Sequence, residues 1–175
     1  MTAGRSQNSL SQDWCTPTKY VKAINDFYNN NIDLDPCSNY DSIVKSTIKY
    51  TYPYQDGLKE SWNYKNIFVN PPYGRNKYNK TTIKDWIKKC YESSIKYNSE
   101  VLALIPVATN TSHWKEYIFK KANAICFISD TRLKFRINGN ENNKGCPVAC
   151  CMVYWGNNFN KFNEVFKEYG AIVKI

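Results

Sequence analysis

Residues 100 to 106 read Glu-Val-Leu-Ala-Leu-Ile-Pro, a run that is apolar at every position after Glu100 and ends at Pro106. A strand that is apolar on both faces must be covered on both faces, as happens in a parallel sheet sandwiched between helices. The preceding segment agrees with this, since Ile83, Trp86, Ile87, Cys90, Tyr91 and Ile95 recur at helical spacing over 81–97. A helix therefore leads into a buried strand.

The alternation extends along the chain. Thr16-Pro17 is a helix-start signal, because the hydroxyl can cap free amides and proline needs no hydrogen bond at a first helical position. Val21, Ile24, Phe27 and Tyr28 then mark an apolar face, and a helix is expected over 17–29. A short strand over 32–35 stopping at Pro36, an extended piece near 47–52 and a strand over 66–69 follow. After the run at 100–106 come a helix near 111–121, strands near 124–129 and 147–155, a helix near 159–168 and a last strand at 171–174. This order predicts an α/β fold with a mostly parallel sheet and helices on both faces, which places ligands outside the carboxyl ends of the strands. Residues 1–12 are expected to be a flexible tail before a single domain over 13–175, and the Gly- and Asn-rich segment 138–145 a mobile loop.

Composition narrows the partners. Lys and Arg number 24 against 15 Asp and Glu, a net charge of +9 that favours polyanions and makes nucleic acid the natural partner. A lysine-rich solvated surface is the alternative, because the charge is spread along the chain. Seven cysteines, with no secretory leader and no paired CxxC spacing, fit reduced thiols in a cytoplasmic protein. Cys146, Cys150 and Cys151 superficially suggest zinc, yet they fall in or beside the apolar run Pro147 to Trp155 and are expected to be buried structural thiols. His113 is the only histidine, so neither a metal site nor a serine-hydrolase triad is expected, and no stretch has the length of a membrane span.

The strand over 66–69 runs straight into Asn70-Pro71-Pro72-Tyr73-Gly74, where two consecutive prolines cannot continue a ladder and make the exit loop rigid. Asn70 to Tyr73 match the (Asp/Asn/Ser)-Pro-Pro-(Tyr/Phe/Trp) signature of enzymes that methylate amino groups. Chance supplies that signature in roughly one chain per hundred of this length, so its place between a strand and a helix carries the reading. The chemistry explains the residues. An exocyclic amine on adenine is a poor nucleophile because its lone pair is delocalised into the ring, and hydrogen-bond acceptors must localise it. The side-chain oxygen of Asn70 and the carbonyl of Pro71 would each accept one N6 hydrogen, with Pro72 keeping the loop stiff. Tyr73 would stack on a base flipped out of the helix.

Several ordered segments over roughly 12–156 make the chain similar to the phage-type DNA N-6-adenine methyltransferases. They are Asp13-Trp14-Cys15-Thr16-Pro17, Leu34-Asp35-Pro36-Cys37, Asp56-Gly57-Leu58 with Trp62, and Asn70 to Gly74. Later come Leu104-Ile105-Pro106 with Thr109, Thr111 and Trp114, then Arg132 to Phe135, then Val153 to Gly156. The resemblance implies a Rossmann-like class I methyltransferase fold using S-adenosylmethionine on DNA. It implies that Thr16 and Pro17 touch the cofactor near its methionine part, that Asp35 receives the ammonium and that Asp56 meets the adenosine end. Trp14, Pro36, Cys37 and Asn70 complete the expected cofactor set. Tyr73, Arg75, Lys77, Arg132 and Lys134 are the expected DNA contacts. Turn chemistry is the alternative reading of Asp35 and Asp56, since Asp-Pro and Asp-Gly both favour turns. The chain departs from the family's usual pattern at Ala108 and Asn110, where Arg and Asp are common, so Arg132 and Lys134 are the better phosphate contacts. Two other readings stay open at this point: methylation of a protein glutamine or an RNA amino group, and a non-catalytic nucleic-acid-binding module of the same fold.

Overall fold

The structure, a computed structural model, describes residues 14–76, 79–130, 132–141 and 145–175. Seven strands form one mixed sheet in the order β2-β1-β3-β4-β8-β5-β9. They are β1 (Ile32–Ser38), β2 (Ser46–Thr51), β3 (Asn66–Val69), β4 (Glu100–Pro106), β5 (Ala124–Ile128), β8 (Cys150–Trp155) and β9 (Gly170–Lys174). The helices are α1 (Thr18–Phe27), α2 (Ile83–Tyr97), α3 (Ser112–Tyr117) and α4 (Phe159–Phe166).

The reading of β4 as buried on both faces is borne out residue by residue. Leu102 and Leu104 pack with Tyr20, Ile24 and Phe27 of α1 and Phe162 and Phe166 of α4. Val101, Ala103 and Ile105 pack with Trp86, Ile87 and Cys90 of α2 and Trp114 of α3. β8 divides in the same way, with Cys150 and Met152 on the first face and Cys151 and Val153 on the second, all buried. The thiols named in the sequence are thus core side chains, as their alternation suggested.

Where the expectation of a mostly parallel sheet needs refining is at β8. The neighbours β2, β1, β3 and β4 run parallel, but β8 enters between β4 and β5 antiparallel to both, and β9 is antiparallel to β5. Among the described residues the connection from β5 to β8 holds no helix, and β8 returns antiparallel to β5. Part of that connection is the segment 138–145, which its Gly and Asn content predicts to be a mobile loop. The connection contains a small hairpin of β6 (Arg136–Ile137) and β7 (Asn140–Glu141), turned by Asn138 and Gly139 at φ 51° and 77°. Asn-Gly tolerates positive φ at both turn positions, the twist a tight hairpin requires. Residues 142–144 lie outside the described ones.

Two further corrections have local causes. β1 does not stop at Pro36 but continues to Ser38; its pairing with β2 slips between Asp35 and Ser38, so the proline occupies an irregularity where no ladder donor is needed. Thr16 does not cap α1. The N-cap is Pro17, and Thr16 is buried (3% exposed) with its neighbours at the sheet's edge.

Tyr28, just past α1, locks β3 to β4 from beneath. Its buried hydroxyl lies 2.7 Å from the Ile67 carbonyl and 3.0 Å from the Glu100 carbonyl, and it accepts from the Leu102 amide at 3.0 Å. Replacing Tyr28 with phenylalanine removes these bonds from the core, so we expect a loss of about 0.5–1.5 kcal/mol in urea unfolding, without a change in the denaturant slope.

Candidate active site

β1, β2, β3, β4 and β5 point the same way, so the loops that follow them share one edge with the residues that precede α1. An open cleft of about 620 Å³ lies at that edge, walled by the ends of β1 and β2, the exit loop of β3 and Trp86 of α2. Of the residues expected from sequence, Trp14, Pro36, Cys37, Asp56, Asn70, Pro72 and Arg75 line it. Beside it is a recess of about 10 Å³, sharing Trp14, Cys37, Asn39 and Asn70 with the cleft and adding Thr16 and Asp35. A recess of that size holds one water-sized group.

Pro17 and Pro71 are buried beside the cleft and do not line it. Lys77 lies outside the described residues. Arg132 and Lys134 are exposed, alternating with buried Leu133 and Phe135, so this segment turns its cations outward while its apolar side chains hold it to the core. Arg132 also reaches the Cys146 carbonyl at 3.4 Å.

The geometry of Asn70 is specific. Its amide nitrogen donates to the Trp14 carbonyl at 2.9 Å. A planar amide with its nitrogen committed on one branch presents its oxygen on the other, and Asn70 borders both cavities. Tyr73 is held by its far end: the hydroxyl donates to the Leu104 carbonyl at 3.2 Å and lies 3.8 Å from the Cys150 sulfur. Burial of that end pushes the phenol well above its ordinary pKa, so it stays a neutral donor. The ring stands edge-on to Phe135 at 5.8 Å, and Phe135 stacks on Trp14 at 5.4 Å. An aromatic cluster thus flanks Asn70.

Asp35 is 4% exposed and forms no ion pair with another described residue. Burial raises its carboxyl to about 6, opposed by the Cys37 amide, which donates to Oδ1 at 3.3 Å, and by the charge of Lys49. A buried carboxylate with no ion-pair partner among the described residues is costly to ionise. Asp56 does perform turn chemistry, accepting from the Leu58 amide at 3.1 Å, and pairs with Lys59 at 3.5 Å while still lining the cleft.

One lining residue, Asn39, carried no sequence signal. Asn39 borders both cavities, and its amide oxygen is taken by the Cys15 thiol at 2.9 Å and the Asp41 amide at 3.0 Å. Its amide nitrogen is left as a donor. Gly57 is pressed so closely onto the cleft wall that a Cβ would stand 1.8 Å from the Pro36 carbonyl, which only glycine allows. Lys89 fixes the same loop, donating to the carbonyls of Gly57, Leu58 and Glu60 at 3.1, 2.7 and 2.5 Å. The Asp56-Gly57-Leu58 segment pointed to this loop, but nothing in the spacing pointed to Lys89.

A mixed α/β sheet that carries an Asn-Pro-Pro-Tyr loop at the carboxyl ends of its parallel strands, next to an open cleft of about 620 Å³, has the architecture of an amino-group methyltransferase. The profile of the DNA N-6-adenine-methyltransferase (Dam) family matches residues 4–171. The chain belongs to that family and is a DNA adenine-N6 methyltransferase, which implies a methyl donor and a DNA substrate. Comparison with curated proteins and with solved structures returned no match. Among the described residues no helix is long and apolar enough to cross a membrane, and no group of three or more His, Cys, Asp or Glu is placed to hold a metal.

Proposed function

We propose that the chain transfers the methyl group of S-adenosylmethionine to N6 of an adenine flipped out of DNA, with Asn70 as the group that activates the amine. The observation that carries this reading is the bond from Asn70 to the Trp14 carbonyl, which turns the amide oxygen away from Trp14 and leaves it as the acceptor. That oxygen and the Pro71 carbonyl take the two N6 hydrogens, so the lone pair is drawn out of conjugation and localised on nitrogen as that atom becomes tetrahedral. Because Pro71 and Pro72 stiffen the loop, neither acceptor has to reorganise as charge develops on nitrogen. Tyr73 gives the base a ring face, its own position held by the hydroxyl bond to Leu104.

The cleft fits the proposed donor. Asp35 in its one-group recess suits an ammonium, the spare amide nitrogen of Asn39 suits a carboxylate, and the larger cavity by Asp56 and Trp86 suits the nucleoside. When bound, S-adenosylmethionine supplies an electrophilic methyl on sulfonium sulfur. Thr16, Pro36 and Cys37 shape the methionine end, and Trp14 separates it from the aromatic cluster at Phe135. Arg75, Lys77, Arg132 and Lys134 are proposed to meet DNA phosphates.

Treating unmethylated DNA with the protein and isotope-labelled S-adenosylmethionine, then resolving the nucleosides by mass spectrometry, should show label in N6-methyldeoxyadenosine. Label in methylcytosine, or in added RNA or protein and not in DNA, would refute the proposal.

A further inference from the structure

We infer that Arg136 is a positioning residue for Asn70, acting through residues 14–16 as a strap; the inference rests on the role proposed above for Asn70. The strap is held at three points. Trp14 accepts from the Asn70 amide at 2.9 Å, the Cys15 thiol donates to Asn39 at 2.9 Å, and Cys15 pairs with Arg136 through two backbone bonds, each 2.9 Å. Its ring contact points the same way, since Trp14 stacks on Phe135, the neighbour of Arg136. The Trp14 carbonyl that orients the catalytic amide is therefore located from the side of the β6–β7 hairpin.

The Arg136 side chain fastens that hairpin. One terminal nitrogen donates to the Gly139 carbonyl across the turn, and the other reaches the Thr18 hydroxyl at the start of α1 at 3.4 Å. Its Nε is buried without a hydrogen-bond partner, so the group is set inside the junction and does not trail in solvent. The guanidinium thus joins the hairpin turn to the helix start, the two elements between which the strap runs. Loss of the guanidinium frees the hairpin to shift against α1, carrying Cys15 and the Trp14 carbonyl with it. Asn70 then loses the partner that selects its rotamer, and the acceptor no longer faces the amine.

A role exerted through Asn70 makes a prediction that a purely structural or DNA-contacting role does not. Arg136→Ala in the full chain should lower kcat at saturating DNA and S-adenosylmethionine by about tenfold to a hundredfold, with the KM for DNA within about twofold. Arg136→Lys should recover part of the loss, because an ammonium reaches one of the two acceptors. In the Asn70→Ala background, Arg136→Ala should have no further effect on kcat. Multiplying losses in the double variant, or an effect confined to KM, overturns the inference. If Arg136→Ala lacks a cooperative melting transition, Thr18→Val removes only one acceptor of the guanidinium and should give the same non-additive pattern at smaller amplitude; additivity there overturns the inference equally. An Asn70→Ala protein with wild-type turnover would instead defeat the underlying role of Asn70.

Discussion

Asn70→Ala should lower turnover on saturating DNA by roughly a hundredfold to a thousandfold while leaving the affinity for S-adenosylmethionine near that of the wild type. The side chain contributes one acceptor to an amine whose charge changes only as the new N–C bond forms, so its loss falls on the transition state and little on ground-state binding. The contact with Trp14 allows a finer test. Asn70→Asp keeps an acceptor but loses the donor to the Trp14 carbonyl, and its turnover should fall between wild type and Asn70→Ala. Single-turnover methyl transfer, with cofactor affinity measured separately by calorimetry, checks both. Wild-type turnover in Asn70→Ala would show that the chemistry is done elsewhere.

Asp35→Asn should affect function and stability in opposite directions. Removing one partner of a buried, charge-paired contact typically costs about 2–5 kcal/mol of binding, so S-adenosylmethionine affinity should fall at least thirtyfold. The fold itself should gain or hold steady near pH 7.5. The carboxyl is raised from 3.8 to about 6 by burial, so without ligand the folded state holds its proton more tightly than the unfolded chain does. Stability of the wild type therefore falls as pH rises from about 4 to about 6 and then levels, a penalty of about 3 kcal/mol that Asp35→Asn escapes. Cofactor binding has the opposite slope. Ammonium capture needs the ionised carboxylate, so wild-type affinity should weaken by about tenfold between pH 7.5 and pH 5, whereas Asp35→Asn stays flat over that range. The Cys37 thiol beside this carboxyl is pushed well above its ordinary pKa by burial and stays neutral over that range. A wild-type affinity unchanged at pH 5 would place the ammonium elsewhere.

The fold was legible wherever a local pattern was also the tertiary constraint. The doubly apolar β4 requires two helical layers, and α1 with α4 and α2 with α3 provide them. Helix ends were less legible because caps depend on small geometric choices: Thr16 has the chemistry of an N-cap but is drawn into the recess, and Pro17 takes the position. The β6–β7 hairpin carries its Asn-Gly signature in plain view, yet its strands are only two residues each, too short for alternation to register.

For the candidate site, the sequence by itself determined the loop proposed to be reactive, because Asn70-Pro71-Pro72-Tyr73 combines an acceptor, rigidity and a ring face within one unbroken stretch, and rigidity from proline needs no partner. It also marked the Asp56-Gly57-Leu58 segment as a turn, which the bond from the Leu58 amide to Asp56 closes. Tertiary structure alone decided which way the Asn70 amide faces, since its partner Trp14 lies 56 residues away, and that Arg136 stands behind that partner. It alone placed Asn39 at both cavities and Lys89 beneath the Gly57 loop. Hydrogen bonds between distant segments depend on which loops the sheet order brings to one edge, and that order is set by packing across both faces of the whole sheet, which no local pattern encodes.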